Sequence, residues 1–199
     1  MGFTTIPDKA TGDVFTEAMW DQIKDNFNTG IPVLLGNTTL GSPAASISFT
    51  GISQNWAHLY MVCYLRGDTA ATYTYLMLRF NGDTGANYDH QYLAASGAGI
   101  GGGEAFAATK IELDVVAAAT ATANLFTAVI AEIPFYSQVT NNKAITAQCG
   151  NKIGTAAGNM SANIHAGFWR NNAAITQVSL TPTAGNFDTG SRATLYGMP

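Results

Sequence analysis

The sequence predicts an all-β protein: an antiparallel jelly-roll-like β-sandwich carrying a short N-terminal helical arm. Three observations predict it. About ten short strand-like runs follow one another, with turn residues every 8–15 positions. One stretch near the start has helical periodicity, and no repeated β-α alternation comes after it. Long connections near 95–105 and 117–123 favour a jelly roll over a simple meander. The division is an arm at 1–30 and a sandwich at 31–199.

Residues 1–14 read as irregular. Thr16 caps a helix starting at Glu17, with Glu17 and Asp21 near its positive end. Trp20, Ile23 and Phe27 form one apolar stripe, and Asp21 and Lys24 lie on the solvated side. Gly30 and Pro32 stop the helix. Runs 47–50, 58–66, 73–81 and 88–95 then alternate or are rich in Tyr, Leu, Met and Val. Leu59, Met61, Cys63 and Leu65 share one face, as do Leu76, Leu78 and Phe80. The small residues of 94–103 predict a loop. Run 108–116 places Ile111, Leu113 and Val115 together, opposite Glu112 and Asp114. The Ala/Thr stretch 117–123 reads as a loop, and 125–135 fits either period. Runs 144–150, 163–170, 175–181 and 192–196 complete the strands.

Only 11% of the 199 residues are charged, and 47% are hydrophobic. An average domain has ~25% charge. The nine basic residues are scattered, so a nucleic-acid backbone has nothing to grip. The N-terminus shows no secretory signal, and no apolar run is long enough to predict a membrane span. Cys63 and Cys149 can form a bridge, although two buried thiols is the simpler reading.

Several motifs look chemical. Asp-Thr-Gly occurs at Asp83 and Asp188, the triplet of aspartic proteases, but both copies sit where hairpin turns are expected. Gly97–Gly102 matches a dinucleotide fingerprint without its flanking strand and helix. His58, His90 and His165 stand alone, with no second ligand at metal spacing. Glu112 and Asp114 have the form of a glycosidase pair, yet alternation turns both to solvent. The sequence therefore predicts no catalytic, cofactor or metal residues. Trp56 and Trp169 are the candidates for stacking on a sugar ring. Tyr60, Tyr64, Tyr73 and Tyr75 lie opposite or beside an aliphatic row, which implies cover on both sides by another chain.

The runs 47–59 (ISFTGISQNWAHL), 76–88 (LMLRFNGDTGANY), 133–136 (IPFY), 174–178 (AITQV) and 190–197 (GSRATLYG) resemble a group of tailed-bacteriophage virion proteins. Those proteins are described as structural, head-decoration or tail-appendage proteins. The run 15–28 (FTEAMWDQIKDNFN) is similar to a helix near the start of phage structural proteins. The resemblance implies a jelly-roll sandwich, often trimeric, that serves assembly or attachment in the virion and is not an enzyme. Its expected partners are further copies of the chain, phage capsid or tail proteins, and a host-surface glycan if it is of receptor-binding type. The stripe Trp20, Ile23, Phe27 would then dock the arm on a capsid or tail subunit.

Overall fold

The computed structural model describes residues 16–97 and 99–199, leaving out the side chains of 25–29. The first elements are α1 (Glu17–Gly30), β1 (Val33–Thr39), β2 (Ile47–Thr50), β3 (His58–Leu65) and β4 (Tyr73–Phe80). Next come β5 (Tyr88–Ser96), β6 (Gly99–Ala108), β7 (Ile111–Ala117) and β8 (Thr127–Pro134). The last are β9 (Lys143–Lys152), β10 (Met160–Trp169), β11 (Gln177–Pro182) and β12 (Arg192–Met198).

The strands form two antiparallel sheets, ordered β1-β12-β3-β8-β9-β10-β5-β6 and β2-β11-β4-β7. Setting aside β5, β6, β9 and β10 leaves β1-β12-β3-β8 facing β2-β11-β4-β7. The chain crosses repeatedly between these two sheets in the double Greek-key pattern of a jelly roll. The remaining strands are two insertions, β5–β6 after β4 and β9–β10 after β8. They pair through β10 and β5 and widen the larger sheet. β7, the edge of the smaller sheet, packs over β8, β9, β10 and part of β5.

Alternation builds the core. Leu59, Met61, Cys63 and Leu65 from β3 join Leu76, Leu78 and Phe80 from β4 in one buried cluster with Val129, Ile133, Val178 and Leu195. Each such side chain contributes roughly 1.5–3 kcal/mol relative to exposure. Gly167 lets the sheets approach, since a Cβ there would lie 2.6 Å from Ile111 Cγ2 and 2.9 Å from Ile145 Cγ2. Among the described residues no helix is long and apolar enough to cross a membrane.

Four expectations change. β1 is absent from the sequence pattern; Val33–Thr39 pairs with β12 directly after Pro32 and has little side-chain alternation to announce it. The predicted loop 94–103 is the end of β5 and the start of β6, which pair from Ser96 opposite Gly99, with Gly97 after β5 at φ +57°. Backbone pairing with β5 supplies what the glycines lack in side chains. The ambiguous 125–135 contains strand β8, whose inward Val129, Ala131 and Ile133 alternate strictly. Both Asp-Thr-Gly turns connect the two sheets and close no hairpin.

The helix is capped as expected, with Thr16 Oγ1 accepting from Met19 N at 3.3 Å. Lys24 pairs with Asp21 at 2.6 Å on the exposed side. Among the described side chains of the helix the buried one is Met19, with Ile23 half-buried one turn on, whereas Trp20 is 55% exposed. Trp20 therefore lies off the buried side of the expected stripe, about 100° around the helix from Met19. The side chain of Phe27 and residues 1–14 lie outside the described residues.

Candidate functional site

The site starts from an irregularity in β7. Leu76 pairs with Asp114, but the next residue, Met77, pairs with Glu112, so Leu113 is an extra residue. A bulge of this kind re-aims a side chain. Leu113 and Asp114 both turn inward, and Asp114 is only 4% exposed. Strict alternation places Asp114 in solvent beside Glu112; the bulge corrects this. Glu112 stays half-buried at the rim, and Val116 takes the core position expected of Val115.

Asp114 reaches the inner face of the widened sheet. Cys149 and Asn151 come from β9, Asn163 and His165 from β10, and Tyr92 from β5. Register places Asn163 opposite Cys149 and His165 opposite Tyr92. The Asp114 carboxylate accepts from Val115 N at 2.7 Å, Asn163 Nδ2 at 2.7 Å and Asn151 Nδ2 at 3.2 Å. Cys149 Sγ donates to the Leu113 carbonyl at 2.9 Å. The His165 ring stacks on Tyr92, with centroids 5.6 Å apart. His165 is 3% exposed, yet no protein group hydrogen-bonds either ring nitrogen. The Glu112 backbone approaches the ring and partly opposes the effect of burial, but falls short of hydrogen-bond geometry. Asn163 Oδ1 is likewise buried and without a partner.

Burial sets the electrostatics. It lowers the His165 imidazole to about 4, so the ring is neutral at physiological pH. Burial raises Asp114 against the pull of its N–H donors. It raises Glu112 too, with the Asp114 charge adding to the effect. The Cys149 thiol is pushed up by burial and then by Asp114. Glu112, Asp114, Asn163 and His165 line a cleft of about 210 Å³, walled by Tyr73, Tyr75 and Tyr92. It combines aromatic faces, carboxylates, an amide and a neutral imidazole, which suits binding of a polar ligand.

The tryptophans fare differently. Trp169 is 1% exposed, packed near Phe80 and Tyr88, and is no sugar platform. It ends β10 on the inward side of the strand. Trp56 is half-buried and lines a separate cleft of about 250 Å³ with Phe135 and Gln138. The Gly197 backbone covers part of its ring, since a Cβ there would touch the indole. His58 is the expected structural histidine, its Nδ1 accepting from Phe135 N at 3.2 Å. Cys63 and Cys149 are both free and buried.

Both Asp-Thr-Gly carboxylates have structural partners. Asp188 lies 3.7 Å from Arg66 Nε. Asp83 accepts from Trp169 Nε1 at 2.7 Å, Gly85 N at 2.7 Å and Asn87 Nδ2 at 2.9 Å. The indole N–H, followed by Asn87 and Gly85, holds the Asp83 carboxyl below its ordinary range. Its stabilisation is therefore present above the unfolded value of about 3.9 and is lost as pH falls through the lower folded value. In acid titrations followed by circular dichroism, Asp83→Asn is expected to be less stable than wild type at neutral pH. Its stability should also fall less steeply below about pH 4. Parallel acid limbs in the two proteins would contradict this assignment.

Sequence reasoning misses Asp114, Cys149, Asn163 and His165 as a group. The inward positions of 163 and 165 are legible from alternation, but the bulge and the pairing of β10 with β9 and β5 are not. Compared with known proteins, the chain matches no family model and no curated sequence.

Proposed function

We propose that this chain is a non-enzymatic structural protein of a tailed-bacteriophage virion. In this reading it is a capsid decoration or cement protein that works as a symmetric oligomer, a trimer, after assembly in the host cytoplasm. One observation carries the reading: the outer face of the widened sheet. Val62, Ile130, Ile164 and Leu93 stand in one registered row across it, all exposed. The other members of the row are Asn37, Thr194, Gln148 and Gly102, so it carries no charge. Ile100, 81% exposed, lies one row to one side of it, while on the other side the next row carries Glu132 and Glu104. An uncharged row with exposed aliphatic residues, rimmed by charged neighbours such as Arg192, Glu132 and Glu104, has the composition of an interface core with a polar rim. β6 ends the sheet with its outer edge unpaired among the described residues, a second invitation to another chain. Jelly rolls occur in viral capsid proteins and also in lectins and cupins, so the fold alone does not choose the role.

Immunogold labelling of particles from infected cells is expected to decorate the virion. The double variant Leu93→Glu, Ile164→Glu should fold and be excluded from particles. Presence of the chain in infected-cell lysate but not in particles would sink the virion role.

A second reading, attachment to a host-surface glycan, is favoured by the cleft walled by Tyr73, Tyr75 and Tyr92 beside Glu112. In that case Tyr75→Ala should abolish binding on a glycan array. Adsorption that survives this change while Trp56→Ala abolishes it would place the contact at the other cleft.

A further inference from the structure

We propose that Asp114, Cys149 and His165 form a binding site for one thiophilic divalent transition-metal ion of the zinc class. This site lies on the inner face of β9 and β10, opposite the self-association face, and is independent of it.

Three side chains from three strands converge there. A carboxylate oxygen of Asp114, Sγ of Cys149 and a ring nitrogen of His165 all lie within 4.8 Å of one another, and all three residues are buried. Zinc bonds of about 2.0–2.3 Å in a tetrahedron set donors about 3.3–3.8 Å apart. The side chains therefore need to close in by up to about 1.5 Å to meet that geometry.

The second observation is the imidazole itself. Both His165 nitrogens are buried without a hydrogen-bond partner from the protein. A buried polar group in that state costs about 1–3 kcal/mol, and metal ligation by one nitrogen removes part of the cost. Asn163 Oδ1, also unpartnered, lies beside the same space, because the Nδ2 of that amide is fixed on Asp114.

The donor set selects the metal. One sulfur, one nitrogen and one carboxylate oxygen suit zinc and its neighbours; calcium and magnesium take oxygen ligands. On binding, the Cys149 thiol gives up the proton it donates to the Leu113 carbonyl, and that proton leaves to solvent. The ion's two positive charges are then balanced by one thiolate and one carboxylate, so the buried complex is neutral. Asn151, Asn163 and the Val115 N–H orient the carboxylate from behind, as outer partners do in metal sites. The fourth position opens toward the tyrosine-walled cleft, which Asp114 and His165 both line. The ion would tie β7 of one sheet to β9 and β10 of the other.

The test uses the full chain, stripped with chelator and then titrated with Zn²⁺ by calorimetry and with Co²⁺ by absorption. The expected result is one Zn²⁺ per chain and a cobalt spectrum with a thiolate-to-metal charge-transfer band in the near ultraviolet. Cys63→Ser should keep that band, and Cys149→Ser should lose it. His165→Gln should weaken zinc binding by at least tenfold, in line with loss of a ligand. Wild-type protein that binds no Zn²⁺, or binds it without the thiolate band, would overturn the proposal. A band that persists in Cys149→Ser but vanishes in Cys63→Ser would overturn it as well. If either cysteine variant fails to fold, zinc protection of the cysteines in wild-type protein decides. Alkylation of Cys149 slowed by Zn²⁺ while Cys63 is unaffected supports the site; equal alkylation rates with and without zinc overturn it.

Discussion

Trp169→Ala is expected to cost about 3–5 kcal/mol of folding stability, measured by denaturant unfolding. The indole is buried where β10 meets the core, with ring centroids 5.8 Å from Phe80 and 6.4 Å from Tyr88. Truncation opens a cavity between close-packed rings, and the surroundings relax only in part. It also strips Asp83 of its shortest side-chain donor, Trp169 Nε1 at 2.7 Å. Trp169→Phe keeps most of the ring volume and loses only the N–H, so it should lie well below the alanine value. Near-wild-type stability for Trp169→Ala, accompanied by lost glycan binding, would restore the exposed-platform role that the fold denies it.

Arg66→Ala is expected to be of similar size, about 3–5 kcal/mol. Arg66 comes directly after β3, and its guanidinium is buried under the connection between β7 and β8. Nη2 donates to the Ala118 carbonyl at 2.8 Å and to that of Ala121 at 3.2 Å. Nη1 donates to Leu125 O at 2.9 Å and Thr122 O at 3.1 Å. One planar fork thus gathers four carbonyls that no strand pairs. Ala118 O and Thr122 O keep turn donors in Ala121 N and Leu125 N. Removing the fork therefore orphans chiefly the buried Ala121 carbonyl and the half-buried Leu125 carbonyl, at about 1–3 kcal/mol each unless water enters. The packing of the guanidinium is lost as well. Lysine carries three donors on one atom and cannot span the same fork, so Arg66→Lys should recover only a minority of the loss. Limited proteolysis gives a second readout: both variants should be nicked within 118–125 before the rest of the chain unfolds. Equal protease resistance in wild type and Arg66→Ala would contradict this anchoring.

Periodic features are legible in the sequence, and relational ones are hidden. Alternation in β3, β4 and β8–β12 arises from burying one face of each strand, so residues such as Leu59, Leu76 and Leu180 are readable as core. The turn chemistry of Asn81 and Gly82 is readable too, and both residues adopt positive φ. β6 escapes because glycine leaves no hydrophobic pattern; its strand character comes from its pairing with β5. Asp114 escapes for a different reason. A single extra residue in β7 reverses the face of every residue after it, and nothing in the run IELDVVA marks where the extra residue falls. Trp169 is ambiguous because an aromatic at a strand end reads the same whether it points inward or out. Arg66 offers no signal, since its partners are backbone carbonyls more than 50 positions away. The cluster of Asp114, Cys149 and His165 spans three strands in two sheets, so only the fold brings it together.

The uncharged outer row through Val62, Ile130, Ile164 and Leu93 is the surface through which copies of the chain are expected to associate. Native mass spectrometry of the purified chain at micromolar concentration tests it most directly. A mass three times the 20.9 kDa of one chain is predicted, collapsing to one chain in the double variant Leu93→Glu, Ile164→Glu. A wild-type protein found only at 20.9 kDa would contradict it.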